Sequence, residues 1–296
     1  MTLRHLKILI KVADFGSMTA ASESLFISQP TVSQAIAELE SYYSIRIFER
    51  LSKRLYITEP GKQLLSYARH IIALFSEMEL VIKDSDKSGI IRAGASITVG
   101  TYLLPQLVKA FGIHYPSLRI QAVIKNTTEI ENLIMKNEID FAVVEGTVHT
   151  PDIISTPFMD DELVLVCGRN HPLYNTETIS LSDFTQHDFI VREQGSGTRE
   201  LFESVMMAND IAWQVKWECN GFDGIKSAAI NGIGIAVISK TLVEQELKAK
   251  DLYIIKVDGL EFKRKFSIIY HKNKYLTDAI KAFFNLCNEE KWNGRS

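Results

Sequence analysis

The chain has 296 residues, 46% of them hydrophobic and 23% charged, with 16 Gly and 7 Pro, ordinary values for about two globular domains, at most three, with real cores. A formal net charge of −3 excludes a global pull toward nucleic acid, so binding of that kind must come from a local patch. Cys167, Cys219 and Cys287 lie far apart, without metal or CxxC spacing, which speaks against a disulfide framework and for reduced core cysteines.

The first twenty residues include Arg4, His5, Lys7, Lys11 and Asp14, which leaves no apolar signal core. No window approaches the ~20 apolar residues of a membrane span, so a cytoplasmic protein with no membrane partner is expected. Leu3, Leu6, Ile10 and Ala13 mark one face of a first helix ending near Gly16. Ser17 or Thr19 caps a short second helix, and Phe26 to Ser28 form a tight link. Ser28 is a natural N-cap for a third helix, with Pro30 in its first turn, where a missing N–H costs nothing.

On that third helix Val32, Ala35, Ile36 and Leu39 gather on one side, while Pro30, Ser33, Gln34 and Ala37 gather opposite, with Gln29 beside them. No carboxylate appears on it before Glu38. Short helix, tight turn, then a helix with an uncharged hydrogen-bonding face matches helix-turn-helix geometry. Gln bonds adenine edges, Ser and Thr bond several bases, and apolar Pro30 or Ala37 suits a thymine methyl. A helix partly buried against another domain is the competing reading of this stretch alone.

The next segment favours DNA. "SIRIFERLSKRLYITEPGKQLL" reads as strand (Ile45, Ile47), turn (Leu51 to Arg54), strand (Leu55, Ile57) and a helix opened by Pro60. Arg46, Arg50, Lys53 and Arg54 concentrate positive charge on this hairpin, suited to phosphates and to affinity without sequence information. "AASESLFISQPTVSQAIAELE" and "IRIFERLSKRLYITEPGKQLL" together resemble the LysR-type transcriptional regulators, and the likeness runs more loosely through nearly all of the chain. The resemblance implies a winged helix-turn-helix reader, a long dimerisation helix and a two-lobed effector domain. It puts Gln29, Pro30, Thr31, Ser33 and Gln34 on the reading helix and Arg50, Lys53 and Arg54 at the wing. Ser17, Thr19 and Ser28, at the helix starts, complete the expected DNA-facing set. The family often carries a basic residue at the position of Gln34, so this chain departs from the pattern there.

After Pro60, Leu64, Ala68, Ile71, Phe75, Met78 and Ile82 alternate in steps of four and three, an a/d heptad seam. A partner helix from a second subunit would bury it, giving a homodimer on a palindromic site; an ordinary core helix is the alternative. The resemblance adds tetramers built as dimers of dimers. "DSDKSG", residues 84–89, is a polar linker. The expected division is therefore 1–59 for the winged helix-turn-helix, 60–89 for the long helix and linker, and 90–296 for the effector domain.

Beyond the linker, β-like runs ("IIRAGA", "LRIQAVI", "DFAVVEG", "ELVLVCG", "DFIV", "GIAVI", "KFSIIYH") alternate with helical ones, including helices from about Thr101 and Thr128 and a last one from Thr277 to Trp292. This is an α/β pattern of two lobes, with chain crossings near residues 161 and 267, so that 90–161 and 268–296 form one lobe and 162–267 the other. It resembles the periplasmic-binding-protein fold of LysR-type effector domains. Ligands in such sheets sit beyond the carboxyl ends of strands. Ser96 and Thr98 in "ASITVGTY", and Gly195, Ser196, Gly197 and Thr198 in "REQGSGTRE", stand at strand-to-helix turns that offer backbone N–H groups and hydroxyls to an anion. Arg192 adds charge, Thr127 and Thr128 lie at a further strand end, and Glu145 suits an ammonium. An anionic or zwitterionic metabolite is expected; plain N-capping is the alternative for each hydroxyl.

"GASITVGTYLLP", "VVEG", "PFMDDELVLV" and "REQGSGTRE" look most like the LysR-type branch linked to sulfur and cysteine metabolism, which suggests O-acetylserine or a sulfur oxyanion. A regulator of another pathway, activating or repressing, fits the same residues. An exported solute-binding protein would carry an export signal and no reading helix. Catalysis is not expected: "GSGT" lacks nucleotide-binding spacing, and Cys167 and Cys219 have no His close in sequence. No cofactor and no metal are expected.

Overall fold

The computed structural model describes residues 1–51, 54–83, 89–289 and 292. The chain divides into two compact units, one formed essentially by Met1–Gly89 and one by the remainder. In the first, α1 (Leu3–Phe15), α2 (Met18–Ser24) and α3 (Gln29–Tyr43) precede the hairpin β1 (Phe48–Leu51) and β2 (Arg54–Ile57), then α4 (Glu59–Lys83). Gly16, in the left-handed region at φ 60°, terminates α1. Leu6, Leu9, Val12, Ala21, Val32, Ala35, Ile36, Leu39, Ile47 and Ala68 form one buried cluster. Of the face expected on the first helix only Leu6 is fully in it; Leu3, Ile10 and Ala13 pack against it partly buried, and Ile8, Leu9 and Val12 supply the rest.

The hairpin differs from expectation at its start. Ile45 and Ile47 lie ahead of β1 rather than in it. The Ile47 and Phe48 amides both donate to Glu40 Oε1, at 2.7 and 3.2 Å, and the Ile47 carbonyl accepts from Thr58 N at 3.0 Å. The backbone groups of Ile47 are thus engaged outside the ladder, and pairing runs from Phe48↔Ile57 to Leu51↔Arg54. α4 opens at Glu59, one residue before Pro60. Ala68 on it is buried, whereas Ile71, Leu74 and Met78 further along are exposed. Residues 84–88 of the expected linker lie outside the described residues.

The second unit begins with β3 (Ile90–Ser96), α5 (Ile97–Tyr102), α6 (Leu104–His114), β4 (Arg119–Lys125), α7 (Thr127–Met135) and β5 (Phe141–Glu145). It continues with β6 (Ile153–Gly168), β7 (Thr178–Ile179), α8 (Leu181–Phe184), β8 (Asp188–Arg192), α9 (Gly197–Ala208) and β9 (Gln214–Cys219). Then follow α10 (Phe222–Ile230), β10 (Ile235–Ser239), α11 (Glu244–Lys248), β11 (Leu252–Val257), β12 (Lys263–His271) and α12 (Asp278–Cys287). Strand order is β4-β3-β5-β12-β6-β10-β8-β9, with β11 also on β6. β3 pairs parallel with β4 and β5, and β8 parallel with β9 and β10, so two α/β halves share this order.

Two strands join the halves. β6 pairs with β12 through Ile153–Glu162 and with β10 from Leu163 onward, a switch beside the expected 161. β12 lies with β5 and the first part of β6 over its whole length, so the return crossing falls ahead of Lys263 and not near 267. Ser96 has an extended N-cap conformation, which starts α5 at Ile97 and not about Thr101. α12 ends at Cys287, short of Trp292. Strands β7 and β11 had no counterpart in the sequence reading; β9 is an exposed edge that alternates polar residues with Val215 and Trp217.

Candidate functional site

The reading helix presents what its spacing implied. Ser28 caps α3, accepting from Thr31 N at 3.4 Å, and its hydroxyl meets the Thr31 hydroxyl at 2.8 Å. Ser17 caps α2, accepting from Ala20 N at 3.3 Å; Thr19 is exposed beside it. Ser28, Pro30 and Gln34 are exposed, and Gln29, Thr31 and Ser33 half-buried, while Val32, Ala35, Ile36 and Leu39 face the core. Gln34 donates through Nε2 to Glu38 Oε1 at 2.9 Å, and His5 Nε2 lies 2.7 Å from Glu38 Oε2. These two bonds, that from His5 foremost, hold the Glu38 carboxyl below its usual range. Lys53 lies outside the described residues, and so do the side chains of Arg50 and Arg54. Their strands nonetheless form the hairpin, with Arg50 opposite Leu55 and Arg54 opposite Leu51.

In the second unit the predicted effector residues converge where the two halves of the sheet meet. Ser96, Thr98, Thr127, Glu145, Arg192, Ser196, Gly197 and Thr198 are buried; Gly195 is half-buried and Thr128 exposed. The two strand-to-helix turns are used differently. Ser196 caps α9, accepting from Thr198 N at 3.3 Å. Ser96 makes no cap; its hydroxyl accepts from the Glu145 amide at 3.1 Å. Thr98 lies inside α5, not between strand and helix, and donates to Glu145 Oε1 at 2.8 Å. Thr127 Oγ1 donates to the Glu145 carbonyl at 3.1 Å.

Close approach joins the Gly195 turn to the start of α7 and to the end of β5. Thr128 N donates to the Gly195 carbonyl at 3.2 Å. Gly195 has φ 84°, and a Cβ on Gly197 would stand 2.5 Å from the Glu145 carbonyl oxygen, so neither position accommodates a side chain. A cleft of about 300 Å³ lies beside this contact, bordered by Gly146, Thr147, Gly197, Glu200 and Arg264. Arg192 is fully buried: its Nε and Nη2 each reach Glu193 at 2.8 Å, and its guanidinium stacks 4.9 Å from the Phe222 ring centre. Its charge is therefore already matched, in contrast to the free cation that the sequence suggested.

Three buried residues of this cluster escaped sequence reading. Arg264 donates from Nε to Asp161 Oδ2 at 2.6 Å and from Nη1 to Thr198 Oγ1 at 3.0 Å, and Ser239 donates to Asp161 Oδ1 at 2.7 Å. A signal existed: in "KRKFSIIYH" the two-residue period puts Arg264 on the same face as buried Phe266 and Ile268, with Lys263 and Lys265 outward. Glu145 Oε2, Arg192 Nη1 and Arg264 Nη2 are buried polar atoms without a hydrogen-bond partner. Cys167 and Cys287 are buried, and all three cysteines are free thiols. Burial pushes the Cys167 thiol up to about 11, so at neutral pH it is a core group and no nucleophile. Among the described residues no cluster of His, Cys, Asp and Glu has the makings of a metal site, and no helix is long and apolar enough to cross a membrane.

An amphipathic reading helix beside a hairpin, with a two-halved α/β unit bearing a polar junction, defines a ligand-sensing DNA-binding protein. Residues 3–62 match the model of the bacterial regulatory helix-turn-helix protein, lysR family, and residues 84–292 that of the LysR substrate binding domain. The chain belongs to the LysR family of transcriptional regulators. It is 31% identical over 288 residues to the HTH-type transcriptional regulator YeiE of Escherichia coli K12, covering 97% of each chain. It is 34% identical over 292 residues to a probable RuBisCO transcriptional regulator of Guillardia theta, covering 95% of this chain and 94% of that one. The regulatory domain of Synechocystis CcmR, solved in complex with 2-PG, superposes with a TM-score of 0.63 at 26% identity, over 68% of this chain and 96% of that domain.

Proposed function

We propose that this regulator reads a palindromic promoter site as a cytoplasmic homodimer, further paired into a tetramer, and that a small anionic or zwitterionic metabolite modulates that binding. DNA contacts are assigned to Ser17, Thr19, Ser28 to Thr31, Ser33 and Gln34, with Arg50, Lys53 and Arg54 on phosphates. Gln34 reaches a base only by exchanging its bond to Glu38, so Gln29 carries the larger share of base recognition. The divisions after residues 59 and 89 separate reader, dimerisation helix and sensor, and the two crossings separate the lobes of the sensor.

The observation that carries the effector reading is the buried junction itself. Hydroxyls of Ser96, Thr98 and Thr198 converge with Glu145 and the first turn of α9, where backbone N–H groups and the helix dipole favour negative charge. The complex of the CcmR regulatory domain with 2-PG supports a small ligand in this fold. The segments around Ser96 and Gly195 resemble the branch linked to sulfur and cysteine metabolism, which supports O-acetylserine or a sulfur oxyanion as first candidates. Oligomerisation is supported by the exposed Ile71, Leu74 and Met78 of α4, and by the exposed Val123 and Ile124 at one end of the strand order and Val215 and Trp217 at the other.

A double change, Thr98→Ala with Ser196→Ala, tests the effector site. Titration of metabolites against promoter binding should lose its response in the variant; an unchanged response would overturn the assignment. A genomic footprint identifies the operator, and the genes beside it narrow the metabolite.

A further inference from the structure

We infer that Arg264 is the receptor for the effector's anionic group and that Glu145, across the same sheet face, selects ligands that also carry an ammonium, so that the effector is a zwitterion of the α-amino-acid type. The inference rests on the effector site proposed above and gives it a direction.

Register places the two groups together. Glu145 of β5 stands opposite Phe266 of β12, and Arg264, two residues back, shares that face, as does Asp161, its own cross-strand partner. Glu145 and Arg264 are therefore diagonal neighbours, about 7–8 Å apart at the backbone. Both side chains are buried, yet no ion pair joins them; Glu145 Oε2 and Arg264 Nη2 each end without a partner. A buried carboxylate and a buried guanidinium that face one region with open valences, instead of neutralising each other, are arranged for something between them.

The hydroxyls give the polarity. Thr198 Oγ1 accepts from Arg264, so its own proton is free to donate to an anion. Thr98 Oγ1 donates to Glu145, so its lone pairs are free to accept from a cation. The α9 side thus presents donors: Arg264 Nη2, the Thr198 hydroxyl and the first-turn amides. The α5 side presents acceptors: Glu145 Oε2 and Thr98 Oγ1. Charge counting agrees. Arg192 is paired with Glu193 and Arg264 with Asp161, which leaves the Glu145 carboxylate as the one acid of the cluster without a cation among the described residues. A simple dianion would add negative charge to that; a zwitterion brings an ammonium to Glu145. Lys263 and Lys265, which also border the cleft, do not alter the count, each being paired, with Glu261 and Asp160 respectively.

The test uses the full chain and calorimetric titration. The probes are the common L-α-amino acids and O-acetyl-L-serine, each beside the matching acid that lacks the amino group and the matching amine that lacks the carboxylate, with sulfite and sulfate as simple oxyanions. The expected result is that at least one zwitterion binds and that its acid and amine bind roughly tenfold weaker or worse, since each leaves a buried charge unmet. Arg264→Gln should weaken the zwitterion by a similar factor yet leave the amine's affinity unchanged, a pattern that general destabilisation does not produce. Thr198→Val, which removes the hydroxyl and with it both the proton offered to the anion and the acceptor of Arg264 Nη1, should weaken the same ligands, and it serves if Arg264→Gln does not fold. Glu145→Gln should bring the matching acid level with the zwitterion. Undiminished zwitterion affinity in both Arg264→Gln and Thr198→Val would overturn the role of Arg264 while leaving the effector site standing. So would an oxyanion or a bare acid that binds the native chain as tightly as any zwitterion, with respect to the role of Glu145. If no probe binds, the inference and the proposed site fall together.

Discussion

Two helix N-termini in this chain begin with the same device and end in different chemistry. At α3, Ser28 caps an exposed first turn followed by Gln29, Pro30 and Thr31; at α9, Ser196 caps a buried first turn followed by Gly197 and Thr198. The capping hydroxyl is a local matter in both, since an N-cap satisfies an amide two or three residues away. What differs is the surrounding. The α3 turn faces outward with uncharged donors and acceptors, which suits the edge of a large, hydrated polymer. The α9 turn is enclosed by Glu145, Arg264 and a glycine contact that only a missing Cβ permits, which suits a small charged molecule. A helix start acquires its function from burial and from the charges packed round it, not from its cap.

That contrast can be broken at several strengths. The largest effect is expected from Leu39→Ala, which hollows the core beneath α3. It should cost about 2–5 kcal/mol in chemical denaturation of the first unit and remove promoter binding, while effector titration of the second unit is kept. Gln29→Ala should cost about 1–3 kcal/mol on the preferred operator and relax discrimination against its variants, whereas Arg54→Ala should weaken all sequences alike and flatten the salt dependence; electrophoretic mobility shifts across a salt series separate the two. Ser28→Ala and Ser196→Ala should each cost about 1 kcal/mol in thermal unfolding through loss of the cap. Only the first should alter DNA affinity and only the second effector affinity. A crossed result would dissolve the distinction drawn between the two helix starts.

The smallest effect concerns Glu38, whose carboxyl is held down by His5 and Gln34. A carboxyl with a depressed folded-state value contributes stability that is complete above its ordinary 4.5 and fades as the pH falls through the lowered value. Glu38→Gln should therefore narrow the gap in melting temperature between neutral and strongly acidic buffer. Because Glu38 is exposed, the change should be slight; a large one would mean that the acidic residue of α3 is more enclosed than its geometry indicates.

Much of the first unit was legible because its information is local. Periodicity alone placed Val32, Ala35, Ile36 and Leu39 in the core and left Gln29, Pro30, Ser33 and Gln34 outside it, and Gly16 and Ser28 marked helix ends. The exception, the late start of β1, arose from Glu40 reaching back to two amides, a side-chain contact that no strand propensity announces. In the second unit the strand runs and the two turns could be read, but not what the turns would meet. Arg264 bonds Asp161 and Thr198, which are 103 and 66 residues away, and such distances are bridged by register, not by pattern.

By itself, then, the sequence determined the kind of protein: an uncharged reading face, a basic hairpin, a heptad helix and an alternating α/β sensor are properties of residue type and spacing, which act over a few residues. Tertiary structure alone decided which hydroxyls donate and which accept, that Arg192 is already matched, and that Glu145 and Arg264 face one region unpaired. Hydrogen-bond direction and charge compensation depend on which groups meet in space, and Arg264 is brought beside Asp161 and onto the face of Glu145 by the pairing of β12 with β6 and β5.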